Sequence, residues 1–236
     1  MGINKLLCCL LVSATAFAQT NNKKEILSLF EKAKKVYESN NFFQIETKCS
    51  IYTSYNATVP KEQYTGLILK KSNEYYSKIG MIEMVSLKDF QIVIDNGLKK
   101  ISVSEMENAN SMEKAYDLTG FCQNFNSFVL TSQNNSWVCT LTAPKVAFAP
   151  YGKMIVYIDK STNRITKQVV YLLTSMKYKD AKGKTKEAYP KMVTEFISFK
   201  SDISKHQYKF SSSQYITKSK GEFSVSKNYT GYKLID

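Results

Sequence analysis

The segment Phe43–Tyr55 alternates for thirteen residues. Phe43, Ile45, Thr47, Cys49, Ile51, Thr53 and Tyr55 fall on one side; Gln44, Glu46, Lys48, Ser50, Tyr52 and Ser54 fall on the other. A period of two is that of a β-strand, whose successive side chains point to opposite faces. At about 3.3 Å per residue this strand spans roughly 43 Å, well beyond the usual five or six residues. With only one apolar face, a strand of that length predicts a strongly curved sheet with something covering its concave side. Such a cup suits the holding of apolar ligands.

One helix precedes the strand. Between Lys23 and Ser39, Ile26, Leu29, Phe30, Ala33, Val36 and Tyr37 recur at three- and four-residue spacing while Lys32, Lys34 and Lys35 face away, an amphipathic pattern. Asn40-Asn41 ends it. The stripe fits both a helix packed into the core and a lid over the sheet. Strands follow at Glu62–Lys71, Glu74–Ile79, Met81–Leu87, Phe90–Ile94 and Lys99–Ser104. Asn96-Gly97 between the last two is the strongest hairpin signal in the chain. After a break with a helical turn at Met112–Leu118, strands resume at Ser127–Thr131, Trp137–Thr142, Met154–Ile158, Arg164–Thr174, Lys177–Asp180 and Ala188–Lys200. Consecutive hairpins rather than βαβ units predict an antiparallel meander.

Residues 1–18 read as a cleaved secretion signal: Lys5, the apolar run Leu6–Val12, and Ala16-Phe17-Ala18 before Gln19. The run is too short for a membrane span of about twenty residues. The exported chain is expected to work in the periplasm as one domain over residues 19–216. Residues 217–236 form an extension that stays mobile or adds an edge strand. Net charge is +13, yet of 33 basic residues only Arg164 is an arginine. Base and phosphate readout relies on the forked guanidinium, so nucleic acid is not an expected partner. The lysines read as a solvated exterior, with attraction to anionic membrane surfaces or acidic partners as the sharper option.

Little in the sequence points to catalysis. His206 is the only histidine and lies among lysines, so a hydrolytic triad has no obvious base. There is no G-x-S-x-G, P-loop or G-x-G-x-x-G motif. The closest carboxylate pair, Glu105 with Glu107, lacks an apolar wall to raise one pKa. No metal site and no cofactor are expected. Cys49 sits on the apolar side of the long strand as a buried thiol. Cys122 and Cys139 flank a hairpin and could form a disulfide in an oxidising compartment.

The order of elements and several local segments resemble the periplasmic outer-membrane lipoprotein carrier family (LolA-like). Gly66–Lys71 followed by Asn73 and Tyr75-Tyr76 resembles that family's G-x-L-x-x-K-R-P-x-x-F/Y segment. Asp95–Val103 is similar to its D-G-K-x-L-x-x-Y hairpin, and Met154–Tyr171, turning at Asp159–Arg164, to its strand, D-x-x-T-x-x-I, strand unit. Phe196–Phe199 leading to Phe210 resembles its last strand and F-x-F element. The resemblance implies an α+β, mainly antiparallel fold: a strongly curved open half-barrel with an N-terminal helix and short helices covering its concave face. It also implies acyl chains of lipids or lipoproteins as cargo, an inner- or outer-membrane protein as a further partner, and Lys71 at the position of the family's arginine. Each CH₂ left in water costs about 0.8 kcal/mol, so a chain of roughly sixteen carbons loses more than 10 kcal/mol on leaving a membrane unaided. Phe43, Ile45, Cys49 and Ile51 of the long strand, with Leu29, Phe30 and Val36 of the helix, are the expected cavity lining. The alternative is an adaptor of the cell envelope or a secretion apparatus that uses the same fold for protein contacts.

Overall fold

The computed structural model describes residues 21–105, 118–145, 150–180, 182–219 and 221–235. The expected secretion signal, Glu107 and residues 112–117 of the expected helical turn lie outside the described residues. Helix α1 (Lys23–Ser39) is followed by β1 (Phe42–Tyr52), β2 (Glu62–Lys71), β3 (Glu74–Ile79), β4 (Ile82–Ser86), β5 (Phe90–Asp95) and β6 (Lys100–Glu105). A single helical turn, α2 (Leu118–Phe121), leads to β7 (Ser127–Gln133), β8 (Ser136–Thr142), β9 (Tyr151–Asp159) and β10 (Ile165–Leu172). The chain continues through β11 (Met176–Lys179), β12 (Thr185–Ala188), β13 (Lys191–Lys200), β14 (Ile216–Ser219), β15 (Glu222–Val225) and β16 (Lys233–Ile235).

Twelve strands form one open sheet in the order β16-β6-β5-β4-β3-β2-β1-β13-β10-β9-β8-β7. Two meanders, β2–β6 and β7–β10, are thus joined through the central pair β1 and β13. Every pairing is antiparallel except that of β16, which runs parallel along β6 at the sheet's edge. The expected α+β, mainly antiparallel architecture with an N-terminal helix is the one observed. The opposite edge, β7, is partly closed by Asn22. Its N–H donates to the Phe128 carbonyl (3.0 Å) and its Oδ1 accepts from Leu130 N–H (3.1 Å). That contact occupies the side chain that would otherwise cap α1.

β1 and β13 are among the strands whose bounds differ from the sequence reading. β1 ends at Tyr52, three residues short of the expected Tyr55, because the chain folds into a turn closed by Ala57 N–H on the Ser54 carbonyl (3.2 Å). Tyr55 nevertheless returns to the sheet, its hydroxyl donating to the Leu172 carbonyl at 2.5 Å. The strand expected over Ala188–Lys200 is split at Tyr189-Pro190. Pro190 has no N–H to donate to a ladder, and its carbonyl instead accepts from Leu172 N–H (3.0 Å).

The register separates the two faces of the sheet. Phe43, Ile45 and Thr47 of β1 stand opposite Lys70, Ile68 and Gly66 of β2, and these stand opposite Tyr75, Ser77 and Ile79 of β3. On the same face, α1 buries Ile26, Leu29 and Phe30 against Phe128, Cys139, Leu141, Met154, Val156 and Ile158 at the β7–β9 end. The opposite face of β2–β6, carrying Leu69, Tyr76, Val85, Ile92, Ile94 and Ile101, is covered by the C-terminal part of the chain. Ile203, Phe210, Tyr215 and Ile216 are buried there, with Phe223, Val225, Tyr229, Tyr232 and Leu234 packed around them. Each half of the sheet is therefore covered on a different face.

Candidate functional site

Between the half-sheets, the face shared with α1 borders a cavity of about 360 Å³. Its wall combines Phe43, Ile45, Ile68, Tyr75, Ile79 and Met84 of β1–β4 with Val156, Gln168, Thr194 and Phe196 of β9, β10 and β13. Lys34, Tyr37 and Glu38 of α1 and Leu118 of α2 complete it. β4 and β9 are six steps apart in the sheet order, which on a flat sheet is about 29 Å. Both reach one small cavity, so the sheet curls sharply and its concave side is the α1 side. A register shift between Glu46 and Thr47 against β13 contributes: Ser198 and Phe196 pair with them, leaving Ile197 as the extra residue. Such bulges bend a strand and increase its twist.

Gly66 sets the floor. A Cβ there would collide with Thr47 Oγ1 and lie 3.1 Å from the Lys78 carbonyl, so only glycine lets β2 approach so closely. Thr47 Oγ1 itself is buried without a hydrogen-bond partner.

Lys70 fixes the position of the helix. It is 5% exposed, and its Nζ donates to the last-turn carbonyls of Tyr37 (2.7 Å) and Glu38 (3.1 Å). A cation there satisfies carbonyls that have no partner within the helix and opposes the dipole's negative end. Its Nζ also lies 5.9 Å from the ring centroids of both Phe43 and Tyr75. Tyr37, Phe43 and Phe199 form an aromatic triad, with Phe43 and Phe199 stacked at 5.3 Å. Burial raises the pKa of the Tyr37 phenol, partly opposed by the Ile165 N–H it accepts (3.0 Å) and by the charge of Arg164.

A second cavity of about 270 Å³ adjoins the first and shares Tyr37, Ile45, Ile165 and Phe196 with it. The Asp159–Arg164 turn and Phe199 close its far side. Hydrogen bonds from Ser161 and Thr162 bring the Asp159 carboxyl down to about 2.

Of the residues expected to line a cavity, Phe43 and Ile45 border the larger one. Leu29 and Phe30 lie deeper, between α1 and β7–β9. Val36 is half-buried near the end of α1, its carbonyl accepting from Ser39 and Asn40. Cys49 is buried farther along β1, and Ile51 is half-buried opposite Met192. Lys71 points away from the cavity, 5.6 Å above the Phe210 ring and paired with Glu74 (3.6 Å). Cys122 and Cys139 are buried thiols in one cluster and are not joined in a disulfide. Burial, with Cys122 nearby, pushes Cys139 up to about 12. Sequence reasoning missed Lys70 and Arg164. Pairing across the β1–β2 register places Lys70 beside Phe43, and Arg164 stands out by composition as the lone arginine. Among the described residues, no group of three His, Cys, Asp or Glu side chains could hold a metal ion.

No known family and no curated protein matches the chain by sequence. Solved structures resemble it in fold. The chain is similar to a LolA superfamily protein from Nitrosomonas europaea, with 14% identity, 73% of this chain and 91% of that one covered, and a TM-score of 0.33. It is also similar to the lipoprotein LppX of Mycobacterium tuberculosis (7% identity, 77% and 98% covered, TM-score 0.42). An uncharacterized conserved protein from Thermus thermophilus is a third such structure (10% identity, 75% and 86% covered, TM-score 0.44).

Proposed function

We propose that this chain is an exported, non-enzymatic carrier that shields an acyl chain in the larger cavity while the chain crosses the periplasm. One observation carries the reading: the concave face is left partly unfilled where α1 meets the sheet, and mainly apolar side chains line that space. A volume of about 360 Å³ lies within the range of sites that enclose a small ligand, roughly 300–1,000 Å³. Ile79, 40% exposed, lines the cavity, and Met81 and Ile82, 60% and 43% exposed, continue the apolar surface outward at the β3–β4 turn. That edge offers a departing chain an apolar route from a membrane. Binding must offset most of the cost of leaving the bilayer without becoming irreversible. A cavity bounded on one side by a helix, which can shift relative to the sheet, meets both demands.

The test is occupancy. Protein purified from a bacterial envelope and examined by native mass spectrometry carries acyl species. Ser77→Trp, which places an indole in the cavity from β3, lowers hexadecanoate binding at least about tenfold while leaving the unfolding midpoint within a few degrees. A ligand-free mass together with unchanged hexadecanoate binding in Ser77→Trp refutes the carrier reading and favours the adaptor.

A further inference from the structure

We infer that the smaller cavity holds the oxyanion head group of a single-chain amphiphile, bound by Arg164, with the acyl chain running on into the larger cavity. This deepens the carrier reading and rests on it. The two cavities share Tyr37, Ile45, Ile165 and Phe196 as a common wall, so one layer of four side chains lies between them, and a ligand that spans both parts that layer.

Arg164 is the only arginine in the chain, and its surroundings prepare it for an anion. Its guanidinium carbon sits 3.9 Å above the Phe199 ring, which fixes the plane of the fork, since arginine stacks flat on aromatic faces. Its Nε is buried without a hydrogen-bond partner. Native interiors rarely leave such a donor unsatisfied, and a bound ion is one of the recognised reasons. Among the described residues, no carboxylate lies within ion-pair distance of the guanidinium. Asp159 lines the same cavity, but its Oδ1 accepts from the N–H and hydroxyl groups of Ser161 and Thr162, and its Oδ2 from Asn135 Nδ2 (2.8 Å). Both oxygens of the one acid in that lining are thus engaged by the turn, and it makes no ion pair with the guanidinium. Tyr37 adds a second donor. Its oxygen accepts from Ile165 N–H, leaving its proton directed elsewhere. A planar guanidinium stacked on a ring, beside a hydroxyl, suits carboxylate or phosphate, which accept two parallel N–H bonds.

The experiment compares hexadecanoate, hexadecyl phosphate and hexadecanol, which share a chain length and differ in head group, by displacement of a fluorescent apolar probe from the purified protein. The wild type is expected to bind both anions about 10- to 100-fold more tightly than the alcohol, the scale of a charge-assisted hydrogen-bonded contact. The tighter anion identifies the head group. Arg164→Gln removes that preference, so that both anions bind no more tightly than hexadecanol. Arg164→Lys keeps the charge without the fork and retains only part of it. Equal affinity for all three ligands in the wild type, which requires no variant, overturns the head-group assignment and leaves the carrier reading standing. So does an undiminished preference in a folded Arg164→Gln protein. Failure of all three ligands to bind overturns both.

Discussion

Replacing Lys70 with methionine tests how α1 is held to the sheet. Methionine keeps the length and apolar stem of the side chain, while the ammonium group and its 5.9 Å approach to the Phe43 and Tyr75 rings are lost. The larger loss is that of the Nζ contacts to the Tyr37 and Glu38 carbonyls at 2.7 and 3.1 Å. Hydrogen bonds to charged groups contribute about 1.5–3 kcal/mol each when buried. Opposition to the helix dipole adds about 0.3–1 kcal/mol. Against this, removing a buried charge relieves its desolvation, and the freed carbonyls at the helix end regain some water. A net loss of about 2–3 kcal/mol follows, which for a domain of this size lowers the midpoint of thermal unfolding by about 5–10 °C. The loss is localised. Hydrogen exchange at residues 35–39 accelerates in Lys70→Met, whereas the β7–β9 half of the core, where Ile26, Leu29 and Phe30 hold the start of α1, keeps its protection. If α1 gates the cavity, ligand exchange quickens in parallel. A midpoint within 1 °C or so of wild type, or unchanged exchange at the end of α1, refutes the anchoring role.

Two further outcomes are expected. Gly66→Ala costs about 1–3 kcal/mol in urea unfolding, because the Lys78 backbone on the far side cannot retreat; adding Thr47→Ala recovers part of it, and strict additivity of the two refutes the contact. Glu83 is 4% exposed; burial pushes its pKa up, but hydrogen bonds from Tyr76 (2.6 Å), Lys78 (3.0 Å) and Asn96 (3.0 Å), with the charge of Lys209, outweigh this and hold it below the usual carboxylate range. Its folded pKa being depressed, its stabilisation is complete above the unfolded value of roughly 4.3 and is lost as pH falls through the folded one. Glu83→Gln is therefore less stable at neutral pH and has a shallower acid limb in the stability–pH curve; parallel curves for the two proteins rule this out.

The elements legible in the sequence are those whose burial is one-sided. The stripe Ile26–Leu29–Phe30–Ala33 gave α1 its limits because only one face of the helix meets the sheet. β2 and β3 were read to the residue, and Asn96-Gly97 located the β5–β6 hairpin. The long alternation of β1 was followed too far, since Thr53 and Tyr55 continue the apolar pattern after the backbone has turned; periodicity reports side-chain preference, not where a ladder stops. The second covered face was harder to see. Consecutive Leu67-Ile68-Leu69 is the mark of a strand buried on both sides, and it foreshadows the C-terminal segment packed behind β2–β6. Single charged residues with special roles were the least visible. Nothing local separates Lys70, which caps a helix, from Lys71, which lies on the other face; only the pairing with Phe43 does so.

The position of β13 also bears on how the protein matures. β1 lies between β2, its neighbour in sequence, and β13, whose Lys200 pairs with Gln44. The two meanders can each zip up from local contacts, but the join between them waits for a partner some 150 residues downstream, and long-range pairings of this kind are slow to form. Until that strand is threaded into place the hollow has only one wall. A chain emerging in order from its N-terminus therefore has no enclosed hollow until nearly all of it has emerged.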